Sequence, residues 1–115
     1  MVVEKEEAAL KPETKFRKSK VIPLLLRLKN TAFFPIQQLA IVGDADFILC
    51  IRGVFVWLEL KKNDLEVPKP LQRHKAWWVG KCGGLAMVAY PENWAVISKK
   101  LTALDQGEKV HVSPT

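Results

Sequence analysis

Three polar side chains stand at the margins of two apolar runs. Asp46 immediately precedes Phe47 to Ile51, and Glu59 and Lys61 lie at the far end of Val54 to Leu60. With Arg52 and Gly53 as a two-residue hairpin loop, Ile51 faces Val54, and stepping outward Asp46 comes to face Glu59. Side chains alternate along a strand, so Lys61 shares the face of Glu59 and the trio gathers at the end of the hairpin away from its turn. Directly opposed carboxylates lie about 5 Å apart. At an effective dielectric of about 20 their repulsion is on the order of 3 kcal/mol. A divalent cation gives such a pair a purpose: Mg²⁺ takes oxygen ligands, typically one or two carboxylates with waters and substrate phosphate, and a neighbouring ammonium can hold or polarise the attacking water. A solvated strand end carrying chance acids has the same sequence pattern, and the geometry alone does not separate the two. A glycine bulge at the turn would shift the pairing by one residue.

The elements around the trio follow from periodicity. Both hairpin runs are apolar on alternate and intervening positions, as in central strands covered on each side. Residues 1–11 are mixed in charge and without periodicity, which predicts a mobile arm. Pro12 suits a first helical position, and Phe16, Val21, Leu24, Leu25 and Leu28 give an amphipathic helix ending near Asn30, kinked at Pro23. Residues 31–41 read as a strand, with Pro35 placing it at an edge or bulge. A polar, proline-punctuated loop follows at 62–69. Pro70 to Lys81 predicts a second helix with Leu71, Lys75, Trp78, Val79 and Cys82 along one stripe and Gly83-Gly84 as its stop. His74 lies off the face of Gln72 and is not assigned as a general base. A short buried strand at Leu85 to Ala89 precedes a last helix with Trp94, Ile97, Leu101 and Leu104 on one face. The expected domain is 12–104, with 105–115 as a loose tail.

Composition restricts the function classes. A chain of 115 residues, 49% hydrophobic, is expected to form one domain with a single core. No apolar run approaches the ~18 residues needed to span a bilayer, and Glu4, Lys5, Glu6 and Glu7 occupy the place of a signal peptide's apolar segment. No membrane association and a cytoplasmic location are the expectations. Cys50 and Cys82 fit neither a zinc spacing nor a disulfide framework and read as core thiols. The net charge of +6 and pI near 9.5 favour a polyanionic partner. Between Glu13 and Asp44 the sequence contains no acid, while Lys15, Arg17, Lys18, Lys20, Arg27 and Lys29 crowd the first helix. Beside a carboxylate pair, that cluster suits a track for a phosphate backbone.

The order Gly43-x-x-Asp46-Phe47, then Glu59-Leu60-Lys61, then Gln72 in a following helix and Gly83-Gly84 before an apolar strand resembles the PD-(D/E)XK nuclease superfamily. Within it the chain is most similar to the virus-type replication-repair nuclease (VRR-Nuc) family, over roughly 13–104. Ala45 departs from the proline usual before the first acid. Asp44 competes with Asp46, but it would point to the opposite face if the strand has begun there. The resemblance implies an α/β fold, a restriction-endonuclease-like core with a central mixed sheet flanked by helices in the order α-β-β-β-α-β-α. It implies metal-dependent hydrolysis of DNA phosphodiester bonds, with Mg²⁺ or Mn²⁺ held by Asp46, Glu59 and the Leu60 carbonyl.

In this reading Lys61 orients or helps deprotonate the attacking water, and Gln72 supports the site from the first turn of its helix. Glu13 matches a glutamate that approaches the site; it equally suits a first-turn acid complementing the helix dipole. Gln37 and Gln38 contact DNA or pair at a sheet edge, and Lys62 and Lys69 contact phosphates or are ordinary exposed loop lysines. The resemblance further implies a homodimer acting on branched DNA such as a Holliday junction, of phage or mobile-element origin, with Trp77 or Trp78 as candidates for the interface. Two other classes are kept: a non-catalytic DNA-binding module that retains the fold, and an interaction protein whose exposed Trp77 or Trp78 meets a partner.

Overall fold

A computed structural model describes residues 12–36 and 46–111. A helical run over 12–27, α1, leads into β1 (Thr31–Pro35). After β2 (Phe47–Ile51) and β3 (Val54–Leu60) come α2 (Pro70–Lys81), β4 (Leu85–Ala89) and, behind a 3₁₀ turn at Pro91–Asn93, α3 (Trp94–Asp105). Among the described residues the fold is α/β, a four-stranded mixed sheet of order β1-β2-β3-β4 with three helices. The first two pairings are antiparallel and β3 with β4 is parallel. Parallel neighbours require a crossover, and α2 provides it.

The hairpin keeps the expected register. Its ladder runs from Ile51↔Val54 to Phe47↔Leu58. Arg52 and Gly53 both take positive φ, 47° and 84°, the conformation of a type I′ two-residue loop whose twist matches that of the strands. Glycine adopts it freely, whereas an arginine there is held at a cost. The cost is offset by two bonds: the Arg52 N–H donates to the Asn30 carbonyl at 3.1 Å and its Nε to the Asp105 carbonyl at 2.7 Å.

Phe47, Leu49, Ile51, Val56, Leu58, Met87 and Ala89 point to one face, where they join Val21, Leu24 and Leu25 of α1 and Ile97, Leu101 and Leu104 of α3 in the core. Phe16 meets Trp94 edge-to-face at 5.5 Å, a contact worth about 1 kcal/mol that ties the two helices together. The opposite face belongs to α2. At Gly84 a Cβ would stand 2.9 Å from Val79 Cγ1 and 3.2 Å from the Phe55 carbonyl oxygen, so a glycine is what lets the end of α2 close onto β3. β3 is therefore buried on both faces from Val56 to Leu60.

Several expectations are corrected here. β2 is fully covered on one face only, and Cys50 on its other face is exposed; Cys82, at the cap of α2, is exposed as well. Neither is a core thiol, because α2 is too short to roof the whole sheet. Only Ala76 of α2 is buried, and Leu71 and Trp78 of its apolar stripe remain open to solvent. The helical run of α1 continues through Pro23, with its irregularity one turn earlier. The turn before the proline, Arg17–Val21, widens to a π-helix in which the Ile22 N–H reaches the Arg17 carbonyl, making room where the proline ring would crowd the Ser19 carbonyl. The helix ends at Arg27, with Leu28 extended. β1, an edge strand as Pro35 requires, ends at that residue.

The largest correction concerns Asp105, expected in a loose tail. It is buried, and its carboxylate accepts the backbone N–H of Asn30 at 2.7 Å and of Lys29 at 3.2 Å, and the Thr31 hydroxyl at 2.8 Å. Its carbonyl accepts from Asn30 Nδ2 at 3.0 Å as well as from Arg52. Val110, beyond it, packs against the core. Burial pushes the Asp105 carboxyl up, but the bonds from Asn30, Thr31 and Lys29 together with the Arg52 charge outweigh it and hold the pKa below 3.8. A depressed native value stabilises the fold above the unfolded pKa and is lost as pH falls through the native one. Asp105→Ala is expected to cost about 2–4 kcal/mol by denaturant titration at neutral pH, since it orphans several donors at once. That difference should shrink under strong acid.

Candidate active site

Asp46 sits at the mouth of β2, one step beyond the last ladder pair. It does not stand squarely opposite Glu59. Its N–H donates to the Leu58 carbonyl at 3.0 Å, its carbonyl accepts from the Ile36 N–H at 2.9 Å, and its carboxylate accepts the Leu60 N–H at 2.7 Å. Two neighbouring residues, Asp46 and Phe47, thus address Leu58, and the extra residue bends the chain so that the Asp46 side chain lies along the end of β3. It rests against the backbone of Leu60, the residue whose carbonyl is expected to complete a metal's ligand set.

Glu59 and Lys61 share the α2 side of β3, as alternation requires, and both are buried, 1% and 6% exposed. Trp57, two residues before Glu59 on the same face, donates Nε1–H to Glu59 Oε1 at 3.1 Å. Glu59 Oε2 has no hydrogen-bond partner; the Lys61 ammonium lies 3.8 Å away. Lys61 Nζ donates to Gln72 Oε1 at 3.1 Å and stands 3.6 Å from Glu66 Oε1. Gln72 Oε1 also accepts the Lys69 N–H at 3.0 Å, closing the first turn of α2. One amide oxygen therefore caps a helix and holds a lysine.

Burial raises both acids. For Asp46 it outweighs the Leu60 N–H and the nearby Arg17 and Lys61 charges, which pull the other way. For Glu59 it outweighs the Trp57 hydrogen bond and the Lys61 charge, and the charge of Asp46 adds a smaller push upward. The Asp46 charge adds to the rise of Glu59, while the carboxylate that pushes Asp46 upward is Glu66, and in both acids desolvation is the larger cause. Buried carboxyls whose charged forms are disfavoured are poised to gain from a cation.

Among the described residues no three His, Cys, Asp or Glu side chains gather to hold a metal ion. The donor set on offer is Asp46, the orphaned Glu59 oxygen and the Leu60 carbonyl. That set fits Mg²⁺ or Mn²⁺, hard cations that keep several waters and need few protein oxygens. The unsatisfied Oε2 is the feature that fits best, because a buried carboxylate oxygen without a donor is otherwise costly.

The remaining candidates divide. Gln72 reaches Lys61. Glu13 lies in the first turn of α1, and Asp44, Gln37 and Gln38 fall outside the described residues. Lys15, Lys18, Lys20, Lys62 and Lys69 are exposed. Arg17 does not join them: its guanidinium lies 4.6 Å from the Phe47 ring centroid, and its charge acts on Asp46, because the π turn that begins at Arg17 swings it toward the sheet. His74 accepts Nε1–H of Trp78 at 3.2 Å on the outside of α2, away from the trio. Sequence reasoning missed Trp57 and Glu66. Strand alternation two residues before Glu59 would have found the first, and the acids of the loop after Lys61 narrow the second to Asp64 or Glu66.

No family model, curated protein or solved structure matches the chain.

Raised native pKa values set a pH dependence opposite to that of Asp105. Below the ordinary values of 3.8 and 4.5 both carboxyls are protonated in the folded and unfolded chain, and burying them costs no ionisation. As pH rises past those values the unfolded chain releases protons that the folded chain retains, so stability falls until the raised native values are passed. Asp46→Asn keeps an oxygen for the Leu60 N–H and removes the ionisation. In chelator, as pH rises above the ordinary carboxyl value, the variant should lose less stability than the wild type. Parallel denaturant-midpoint curves for the two proteins would show that Asp46 carries no such penalty.

Proposed function

We propose that this chain is a metal-dependent nuclease that hydrolyses DNA phosphodiester bonds, a member of the PD-(D/E)XK superfamily similar to VRR-Nuc proteins and built on a restriction-endonuclease-like core. The observation that carries the reading is the buried Glu59 Oε2, which accepts no hydrogen bond and stands 3.8 Å from the Lys61 ammonium, on a strand whose end also holds Asp46. Asp46, Glu59 and the Leu60 carbonyl are the residues that would hold Mg²⁺ or Mn²⁺. A bound cation of this kind supplies Lewis-acid polarisation of a phosphoryl oxygen and a more acidic water.

The chain's own contribution is placement and charge. Lys61 is fixed on three sides, by Gln72, Glu59 and Glu66, so its ammonium is oriented before substrate arrives. An oriented cation that need not reorganise during the reaction stabilises developing negative charge on the phosphoryl group more effectively than one in water. Gln72 keeps it there, and Trp57 keeps the Glu59 carboxylate turned to the same side. Arg17 moderates the charge of Asp46 from α1, while Lys15, Lys18 and Lys20 on that helix's exposed surface are suited to the DNA backbone.

Asp46→Asn should reduce Mg²⁺-dependent cleavage by about 100-fold or more, measured on linear, flap and four-way DNA. Mg²⁺ should also raise the wild-type melting temperature more than the variant's, because a ligand bound only by the folded state stabilises by mass action. Cleavage by Asp46→Asn at the wild-type rate would exclude Asp46 as a ligand. DNA binding by the wild type with no cleavage of any substrate would leave a binding module.

Replacing Lys15, Lys18 and Lys20 together by Gln should flatten the dependence of log K on log salt by about 2–3. A wild-type affinity that does not change with salt would sink the nucleic-acid reading.

A further inference from the structure

The outer face of α2 is not used by the site described above. Arg73, His74, Trp77, Trp78 and Lys81 are all exposed, and at 100° per residue they fall on one arc of about 140°, with the buried Ala76 outside it. Trp77 and Trp78 are each 48% exposed. Their rings meet edge-to-face with centroids 5.1 Å apart, so the two indoles present differently oriented surfaces. Lys81 Nζ stands 5.0 Å from one ring centroid and 5.9 Å from the other. His74 buttresses Trp78, accepting its Nε1–H and meeting its ring edge-to-face at 6.4 Å. Two adjoining half-exposed indoles make an apolar patch of the kind that marks an interaction site.

Charge narrows what that is. Between Glu66 and Glu92 the sequence has no acid, while it has Lys69, Arg73, Lys75 and Lys81. A protein partner's apolar patch would gain little from such a one-signed rim. A single-stranded nucleic acid gains from both parts: its bases stack on aromatic faces without regard to sequence, and its phosphates lie against the cations. Duplex DNA cannot use the indoles in this way, because its bases are already stacked.

We propose that α2 is a stacking platform for single-stranded nucleic acid, with Trp77 and Trp78 taking unpaired bases and Arg73 and Lys81 the adjoining phosphates. Gln72, on the same helix, touches Lys61. The five steps from Gln72 to Trp77 rise about 7.5 Å along the axis and turn about 140° around it, so a strand seated on the tryptophans lies about one helix diameter from the site and must pass round α2 to reach it. The platform therefore selects substrates in which a single-stranded segment adjoins the bond to be cut; this last step rests on the nuclease reading, and the binding itself does not.

The test is fluorescence anisotropy of labelled oligothymidylate and oligouridylate, about 12 nucleotides long, in chelator so that nothing is cut. Trp77→Ala and Trp78→Ala should each weaken single-strand binding by about 10-fold, and the double variant by more. Trp77→Phe and Trp78→Phe should restore most of it, while duplex binding changes less than about 2-fold, since it rests on charge. Circular dichroism melts check that these surface changes leave the fold intact. Binding of either oligonucleotide with this pattern supports the proposal. Single-strand affinity that is absent, or unmoved by the alanine variants, overturns it. So does a wild-type dimer by sedimentation that the alanine changes dissolve without altering oligonucleotide binding, which would assign the face to a second copy of the chain. Asp46→Asn run alongside separates the two readings: wild type that binds the oligonucleotides but never cuts sinks the nuclease and spares the platform.

Discussion

The two-residue turn at Arg52–Gly53 sets the position of every side chain in the candidate site. Strand side chains alternate, so a slip of one residue in the β2–β3 pairing would carry Glu59 and Lys61 into the apolar core and bring Leu58 and Leu60 out in their place. The loop conformation that avoids this puts an arginine at positive φ, and the fold holds it from outside. Asp105 at the end of α3 receives Arg52 through its carbonyl and fastens the start of β1 through its carboxylate. The backbone of Asp46 ties the opposite end of the hairpin to Ile36 and Leu58. The register is thus clamped at both ends, by residues far apart in sequence.

With the register fixed, the sheet divides its labour between faces. One face, under α1 and α3, is apolar and supplies most of the burial that drives folding. The other, under the shorter α2, carries Trp57, Glu59 and Lys61. Burying an ion pair seldom stabilises a protein over an apolar alternative, and removing one partner leaves an uncompensated charge. The arrangement is better understood as preorganisation: the apolar face stabilises enough to let the polar face keep two carboxyls above their usual pKa and a lysine bound on several sides. Proteins commonly accept such local cost where a ligand will later relieve it.

How much of this was legible in the sequence depends on whether the signal was local. The hairpin, its loop and its register followed from two β-rich runs and the dipeptide between them. The core faces of α1 and α3 followed from Phe16, Val21, Leu24 and Leu25 and from Ile97, Leu101 and Leu104, because a 3.6-residue period is a property of neighbours. The convergence of Glu59, Lys61 and Gln72 was read from motif order and is met by side-chain contacts. What escaped was long-range. Asp105 resembles any polar residue after the last apolar turn, and only the chain's return past Asn30 and Arg52 makes it a buried clasp. Cys50 and Cys82 were read as core because their own strand and helix are apolar there, but burial depends on how far a 12-residue helix can cover a sheet. Arg17 resembled its lysine neighbours until the π turn directed it inward.

Gln72 connects the two surfaces we propose for nucleic acid. Its side-chain oxygen accepts from the Lys69 backbone and from the Lys61 ammonium together, so the first turn of α2 and the position of Lys61 are not independent. A load on the outer face of α2, such as a base stacked on Trp77, bears on a helix whose only buried residue is Ala76. That helix is anchored by its caps more than by its packing: Gly84 closes one end onto β3, and Gln72 closes the other onto Lys61. The coupling runs through one hydrogen-bond acceptor shared by a backbone and a side chain, and either donor can be lost only by leaving it unsatisfied or turning it to water. The position of the Lys61 ammonium and the first turn of α2 are therefore held by the same amide oxygen.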